Sequence, residues 1–153
     1  MDYVLLAEQF FNGFQLGILL FLVAAGLTLI FGIMDLVNLA HGTLYMFGAF
    51  FAATFVQLTD SLVFGMILTL PTMLVTGIIL ELGVLRTLYE RDHLDQVLAT
   101  FGLIIFFNEL FLIVWGAGGT GINLPSYLIG TSELPGGISV PDYRIVIIIS
   151  GLL

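Results

Sequence analysis

The feature that most constrains this chain is a series of long apolar runs that carry almost no charge. Residues 10–33, 44–58 and 62–79 contain no Asp, Glu, Lys or Arg, and residues 97–115 contain one, Glu109. In water these runs would expose far more apolar surface than a small core can cover. In lipid they are stable as helices, whose backbone groups are satisfied internally. At 1.5 Å rise per residue the first run is about 36 Å long, enough to cross the hydrocarbon core with some tilt. The sequence therefore predicts an all-α, polytopic transmembrane helical bundle forming one domain over 1–153. About five spans are expected, at 10–33, 36–58, 62–80, 97–115 and 143–153. The last is still apolar at Leu153 and reads as a span cut short, so the chain is expected to be an incomplete domain.

Charge narrows the function. Eleven carboxylates stand against three arginines (Arg86, Arg91 and Arg144) and no lysine, a net charge of −8. No basic patch exists to neutralise phosphates, which argues against nucleic acid, and none to anchor the chain on an anionic membrane surface. Without cysteine there is no disulfide framework, no thiolate metal site and no thiol nucleophile. Met1-Asp2 and Glu8 replace the positive region of a signal peptide, and the first apolar run is too long for one, so it is read as the first span.

The polar connector that carries Glu81, Arg86, Glu90, Arg91, Asp92, His93 and Asp95 holds two of the three arginines. Basic residues favour the cytoplasmic side, so this connector is expected there and the N-terminus outside. Arg144, at the outer end of the fifth run, pulls weakly the other way. Were the connector helical, Arg86–Glu90 and Arg91–Asp95 would form i, i+4 pairs. Trp115 suits the membrane–water interface, and the Gly- and Pro-rich stretch 116–142 reads as an extramembrane loop.

The segment from Asp35 to Gly42 sets an Asp, an Asn and a His between two apolar runs. On a helix Asp35, Asn38 and His41 fall within an arc of about 120° and share a face. Polar groups beside lipid are costly, so that face is expected to point into protein or a wet cavity. Two arrangements stay open: a polar turn at the membrane edge, with a helix starting after His41-Gly42, or a helix from near Leu36 interrupted at Gly42 as in transporters. Glu109, beside Asn108 within the fourth run, invites a partner or a water-filled path. Asn38, His41, Glu109 and, less strongly, Asp35 are the candidates for a substrate pathway or its support. Gly42 is the candidate break and Pro71 the candidate kink.

Catalysis and metal binding find no support. His41 has no second titratable group convincingly beside it, and His93 lies in the connector, so a packed, hydrogen-bonded histidine is the expected role of His41. Gly116-Ala-Gly118-Gly119-Thr-Gly121 spells G-x-G-x-x-G, but an apolar helix precedes it and Asn123-Leu-Pro125 follows, so it is expected to be a flexible loop. No catalytic residue, cofactor or metal is expected.

Residues 26–49, G-L-T-L-I-F-G-I-M-D-L-V-N-L-A-H-G-T-L-Y-M-F-G-A, resemble the N-terminal signature of branched-chain amino acid ABC permeases, most of all the H-type subunit. The likeness continues more loosely through Leu85-Arg-Thr-Leu and Gln96-Val-Leu-Ala-Thr-Phe-Gly. It implies a multi-pass inner-membrane permease, without catalysis of its own, importing leucine, isoleucine and valine. It also implies a second permease subunit, two cytoplasmic ATPases and a periplasmic substrate-binding protein as partners. Relatives within the same family import urea or short amides, and a non-transporting membrane assembly subunit is the remaining alternative. In such permeases the Ala-rich cytoplasmic segment that docks the ATPase belongs to a later half, beyond these residues.

Overall fold

The computed structural model describes residues 3–122, 124–134 and 138–152. Helix α1 is Tyr3–Met34, α2 is His41–Thr59 and α3 is Leu62–Leu80. A π-helical turn, Glu81–Leu85, and the short α4, Arg86–Leu88, prolong α3 before α5, His93–Trp115. A single 3-10 turn at Ser126–Leu128 leads to strands β1 (Thr131–Leu134) and β2 (Ile138–Pro141), and α6 is Asp142–Leu152. Among the described residues, four helical stretches are long and apolar enough to cross a membrane: Tyr3–Ile33, His41–Thr59, Leu62–Leu88 and His93–Trp115. This agrees with the expected all-α polytopic class.

Several boundaries differ from those read off the sequence. α1 starts well before Phe10, and α5 starts at His93 rather than Val97. The span expected from residue 36 is helical only from His41. Most of the connector is helical: α3 runs on to Leu88, leaving only Tyr89–Asp92 as a turn. Arg91 and Asp95 straddle that turn, so they do not share the single helix that i, i+4 pairing requires. The expected loop 116–142 contains an antiparallel hairpin, with Thr131 opposite Pro141 and Glu133 opposite Ser139.

The chain divides into two compact units. One comprises Met1–Ala25 and Leu124–Leu153. In it, Asp142 joins the hairpin to α6: its N–H donates to the Gly130 carbonyl (3.0 Å), and its Oδ1 accepts from Ser132 Oγ (2.6 Å). Val140 is buried. α6 lies close against α1, where a Cβ on Gly151 would fall 2.4 Å from Ile18 Cγ2.

The other unit is Gly26–Asn123, and it contains the end of α1 with α2, α3 and α5. Its core is aromatic. Phe47 of α2 meets Phe107 and Phe111 of α5 edge-on at 4.9 and 4.6 Å between ring centroids, and Phe50 stacks on Phe111 at 5.0 Å. Trp115 closes the cluster, donating its indole N–H to Thr54 Oγ1 (2.9 Å). The indole serves the α2–α5 contact, a role beyond that of an interfacial anchor. α2 and α3 pack so tightly that a Cβ on Gly65 would lie 2.5 Å from Val56 Cγ2 and 2.8 Å from its backbone nitrogen. Small residues permit such approaches where lipid supplies no hydrophobic drive between helices. α3 continues as helix through Pro71, and the hydroxyls of Thr69, Thr72 and Thr76 donate to carbonyls four residues back at 2.8–2.9 Å.

Candidate functional site at the interruption between α1 and α2

Residues 35–40 are not helical, and they lie between two helices whose flanks are apolar. Asp35 ends α1. Its N–H makes the last helical bond, to the Phe31 carbonyl (2.9 Å), and its φ of 50° is left-handed, a conformation Asp tolerates better than most residues. Leu36, Asn38 and Ala40 are buried, whereas Asp35 and Leu39 are exposed. Asn38 folds its side chain onto its own backbone, Oδ1 accepting from Ala40 N–H at 3.0 Å, a local turn that Asn makes readily. The Asn38 and Ala40 carbonyls then accept from the first N–H groups of α2, those of His41 and Thr43.

Two further N–H groups of the segment, those of Val37 and Leu39, are satisfied by α5. Gln96 Oε1 accepts from Val37 N–H (3.0 Å), and Thr100 Oγ1 accepts from Leu39 N–H (3.2 Å). The Thr100 hydroxyl donates back to the Gln96 carbonyl (2.8 Å) and lies 3.5 Å from the Val37 carbonyl. Gln96 is 2% exposed and Thr100 0%, so water does not compete for these bonds. Both amide protons of Gln96 are also used, on the carbonyls of Leu88 and Arg91, each at 3.1 Å. The interruption and the arginine-bearing connector therefore meet at one end of this unit. There Tyr89 donates its hydroxyl to Glu81, and its pKa is pushed up to about 12 by burial first, then by that carboxylate.

His41 is the first residue of α2, and its ring lies against α1, where a Cβ on Gly26 would fall 2.9 Å from Nε2. Its Nδ1 is buried without a hydrogen-bond partner among the described residues. The histidine thus packs on α1, but the hydrogen bond expected of it is not made at Nδ1. Beside it, Leu27, Thr28, Phe31, Leu36, Val37, Asn38 and Leu39 line a mostly apolar cleft of about 270 Å³.

The expected helical face of Asp35, Asn38 and His41 does not exist, because the segment is unwound: Asp35 faces outward, Asn38 inward, and His41 packs on α1. Gly42 is not the break either. It is the second residue of α2, with nothing within 4 Å of an added Cβ. Glu109 is exposed on α5 and does not join the interruption. Sequence reasoning passed over Gln96 and Thr100 as site residues. Their signal is their spacing, two hydrogen-bonding side chains at i and i+4 at the entrance of an apolar run. His93 is exposed, its Nδ1 3.4 Å from Gln96 Oε1, and among the described residues no cluster of His, Cys, Asp or Glu suits a metal ion. The 116–121 glycines lie in a loop, with the Gly121 carbonyl accepting from Gln57 Nε2 (2.8 Å).

The sequence profile of a family described as "Branched-chain amino acid transport system / permease component" matches residues 9–149. The chain belongs to that family. This permease is 27% identical over 140 residues to the high-affinity branched-chain amino acid transport system permease protein LivH of Salmonella typhimurium, covering 82% of the chain and 45% of the relative. It is 28% identical over 115 residues to the corresponding protein BraD of Pseudomonas aeruginosa, covering 69% and 38%. LivH of Escherichia coli K12 is 44% identical over 43 residues, 28% of the chain and 14% of the relative. The permease spans less than half the length of these relatives, and no solved structure matches it. Family and apolar helices together make it a multi-pass membrane protein.

Proposed function

We propose that this permease forms part of the translocation pathway of an ATP-binding-cassette importer that carries leucine, isoleucine and valine across a bacterial inner membrane. The observation that carries the reading is the unwound 35–40 segment, held by side chains of α5. Irregular backbone within an apolar helical protein is tolerated where it lines a cavity or is buried in protein, and transporters use it at their pathways. The 19 residues of α2 rise about 28 Å, close to the hydrocarbon thickness, which favours the membrane edge for the interruption. Arg86 and Arg91 at the same end favour the cytoplasmic edge, with the N-terminus periplasmic. Asn38 and His41 support the pathway there, Asp35 contributes mainly as a helix terminator, and Glu109 faces water or a partner on the outer half of α5.

No group of this chain is assigned a catalytic step. Energy comes from two cytoplasmic ATPases, which bias the permease and a second permease subunit between inward- and outward-open states. A periplasmic binding protein delivers the cargo. The test is ATP-dependent uptake by proteoliposomes holding the intact permease with these partners. Labelled leucine should accumulate, with isoleucine and valine competing and urea not. Uptake of urea or a short amide instead would change the cargo, and no ATP-dependent uptake of any of them would remove the importer reading.

A further inference from the structure

We propose that Gln96 is a positioning residue that joins the connector between α3 and α5 to the interrupted segment, so that a displacement of one is carried to the other. The inference rests on the importer reading above, with the connector on the cytoplasmic side.

A primary amide is planar and rigid, and Gln96 uses all of it. Its two Nε2 protons hold the Leu88 carbonyl, at the end of α4, and the Arg91 carbonyl, in the following turn, each at 3.1 Å. Its oxygen holds Val37 N–H at 3.0 Å, fifty-nine residues away in the chain. One buried group thus fixes three backbone positions at once, two in the connector and one in the interruption. Local bonds satisfy these groups only in part: the Leu88 carbonyl also accepts from Arg91 N–H (3.1 Å), whereas Val37 N–H is held by Gln96. Val37 N–H has left the helical ladder, and the Leu88 and Arg91 carbonyls lie where the helix ends at the connector turn. A connector that moved alone would leave the buried amide protons of Gln96 unpaired, a costly state, so the amide tends to move with it and pull Val37 along. Thr100 grips Leu39 N–H one turn further into α5, so the pull reaches two alternate residues of the interruption.

A helix cap would satisfy each end without linking them. The bridging geometry predicts a phenotype that stability alone would not produce, a loss of transport per ATP hydrolysed. Gln96→Glu keeps an acceptor for Val37 N–H but brings at most one proton to the Leu88 and Arg91 carbonyls, where the amide brings two, so it weakens the connector arm alone. Gln96→Met removes both arms at similar volume. In the intact permease assembled with its partners, both variants should lower leucine transported per ATP by about tenfold, a typical size for coupling between sites. Assembled Gln96→Glu and Gln96→Met complexes whose transport per ATP stays within about twofold of the parent would overturn the proposal.

A second measurement leaves Gln96 in place, in case the variants do not assemble. This chain has no cysteine, so Leu39→Cys, with cysteines elsewhere in the assembly replaced, reports on the interruption through its rate of maleimide labelling. That rate should differ between nucleotide-free and ATP-locked complexes. Equal rates mean that nothing reaches the segment, and the coupling falls. The two readings separate through the parent complex. If it shows no ATP-dependent uptake, the importer reading fails and the coupling fails with it; if it transports and Gln96→Glu matches it, only the coupling fails.

Discussion

At the connector end of the Gly26–Asn123 unit, α5 grips an unwound stretch through hydrogen bonds; at the opposite end the same helix packs on α2 through rings. The four buried residues of α5 are Gln96, Thr100, Phe107 and Phe111. At 100° per residue they form one stripe about 60° wide, polar in its first turns and aromatic in its last. The difference follows from what each end faces. Where α2 is a complete helix its backbone is already satisfied, so α5 contributes mainly shape and dispersion, with one side-chain bond from Trp115 to Thr54. Where the chain is unwound, free N–H groups at residues 37 and 39 need partners that lipid does not supply, and α5 provides a Gln and a Thr. A single helix face thus locks one end of the unit and leaves the other dependent on bonds that can be exchanged.

Substitutions along that stripe test the contrast, and the largest effect is expected at the aromatic end. Phe111→Ala removes the ring that touches Phe47, Phe50 and Trp115. It should cost about 3–5 kcal/mol in unfolding by sodium dodecyl sulfate in mixed micelles, the range for emptying a large buried aromatic. A loss below about 1 kcal/mol would mean that the cluster collapses around the gap and that the ends do not differ as described. At the polar end, Thr100→Val keeps the shape but leaves Leu39 N–H unpaired. The same assay should show a smaller loss, about 1–2 kcal/mol, with Thr100→Ser recovering most of it. Equal stability of the Val and Ser variants would show that the hydroxyl does not hold the interruption. Smallest is Trp115→Phe, which deletes the one polar bond of the aromatic end and retains a ring. About 0.5–1 kcal/mol is expected. A loss as large as that of Phe111→Ala would make a hydrogen bond the key to both ends and erase the distinction.

Both ends were only partly legible in the sequence. The aromatic end followed from apolar runs, yet nothing in 97–115 says that Phe107 and Phe111, rather than Phe101 and Phe106, face α2. The second pair is exposed in the chain. At the polar end, Asp35, Asn38 and His41 were conspicuous as polar residues between apolar ones, and their spacing suggested a helical face. The unwound backbone gives each a different environment: a left-handed helix terminator, a buried self-capping amide and an imidazole packed on Gly26. Gln96 and Thr100 were inconspicuous, because two uncharged polar residues at the head of a span are unremarkable until something sits beneath them. Gly65 escaped for a similar reason, since its closeness to Val56 depends on how α2 and α3 cross. The paired strands 131–134 and 138–141 were hidden within a stretch whose glycines and prolines suggested only a loop.

The sequence by itself determined the solvent and the helical class: uncharged apolar runs of span length can satisfy their backbone only as helices in lipid. It also determined the family, since the 26–49 signature is a local string. The tertiary structure alone decided where the helix is interrupted and what holds it there. An unwound segment is stable only if its freed groups find partners, and those partners come from a helix some sixty residues away, Gln96 for Val37 and Thr100 for Leu39.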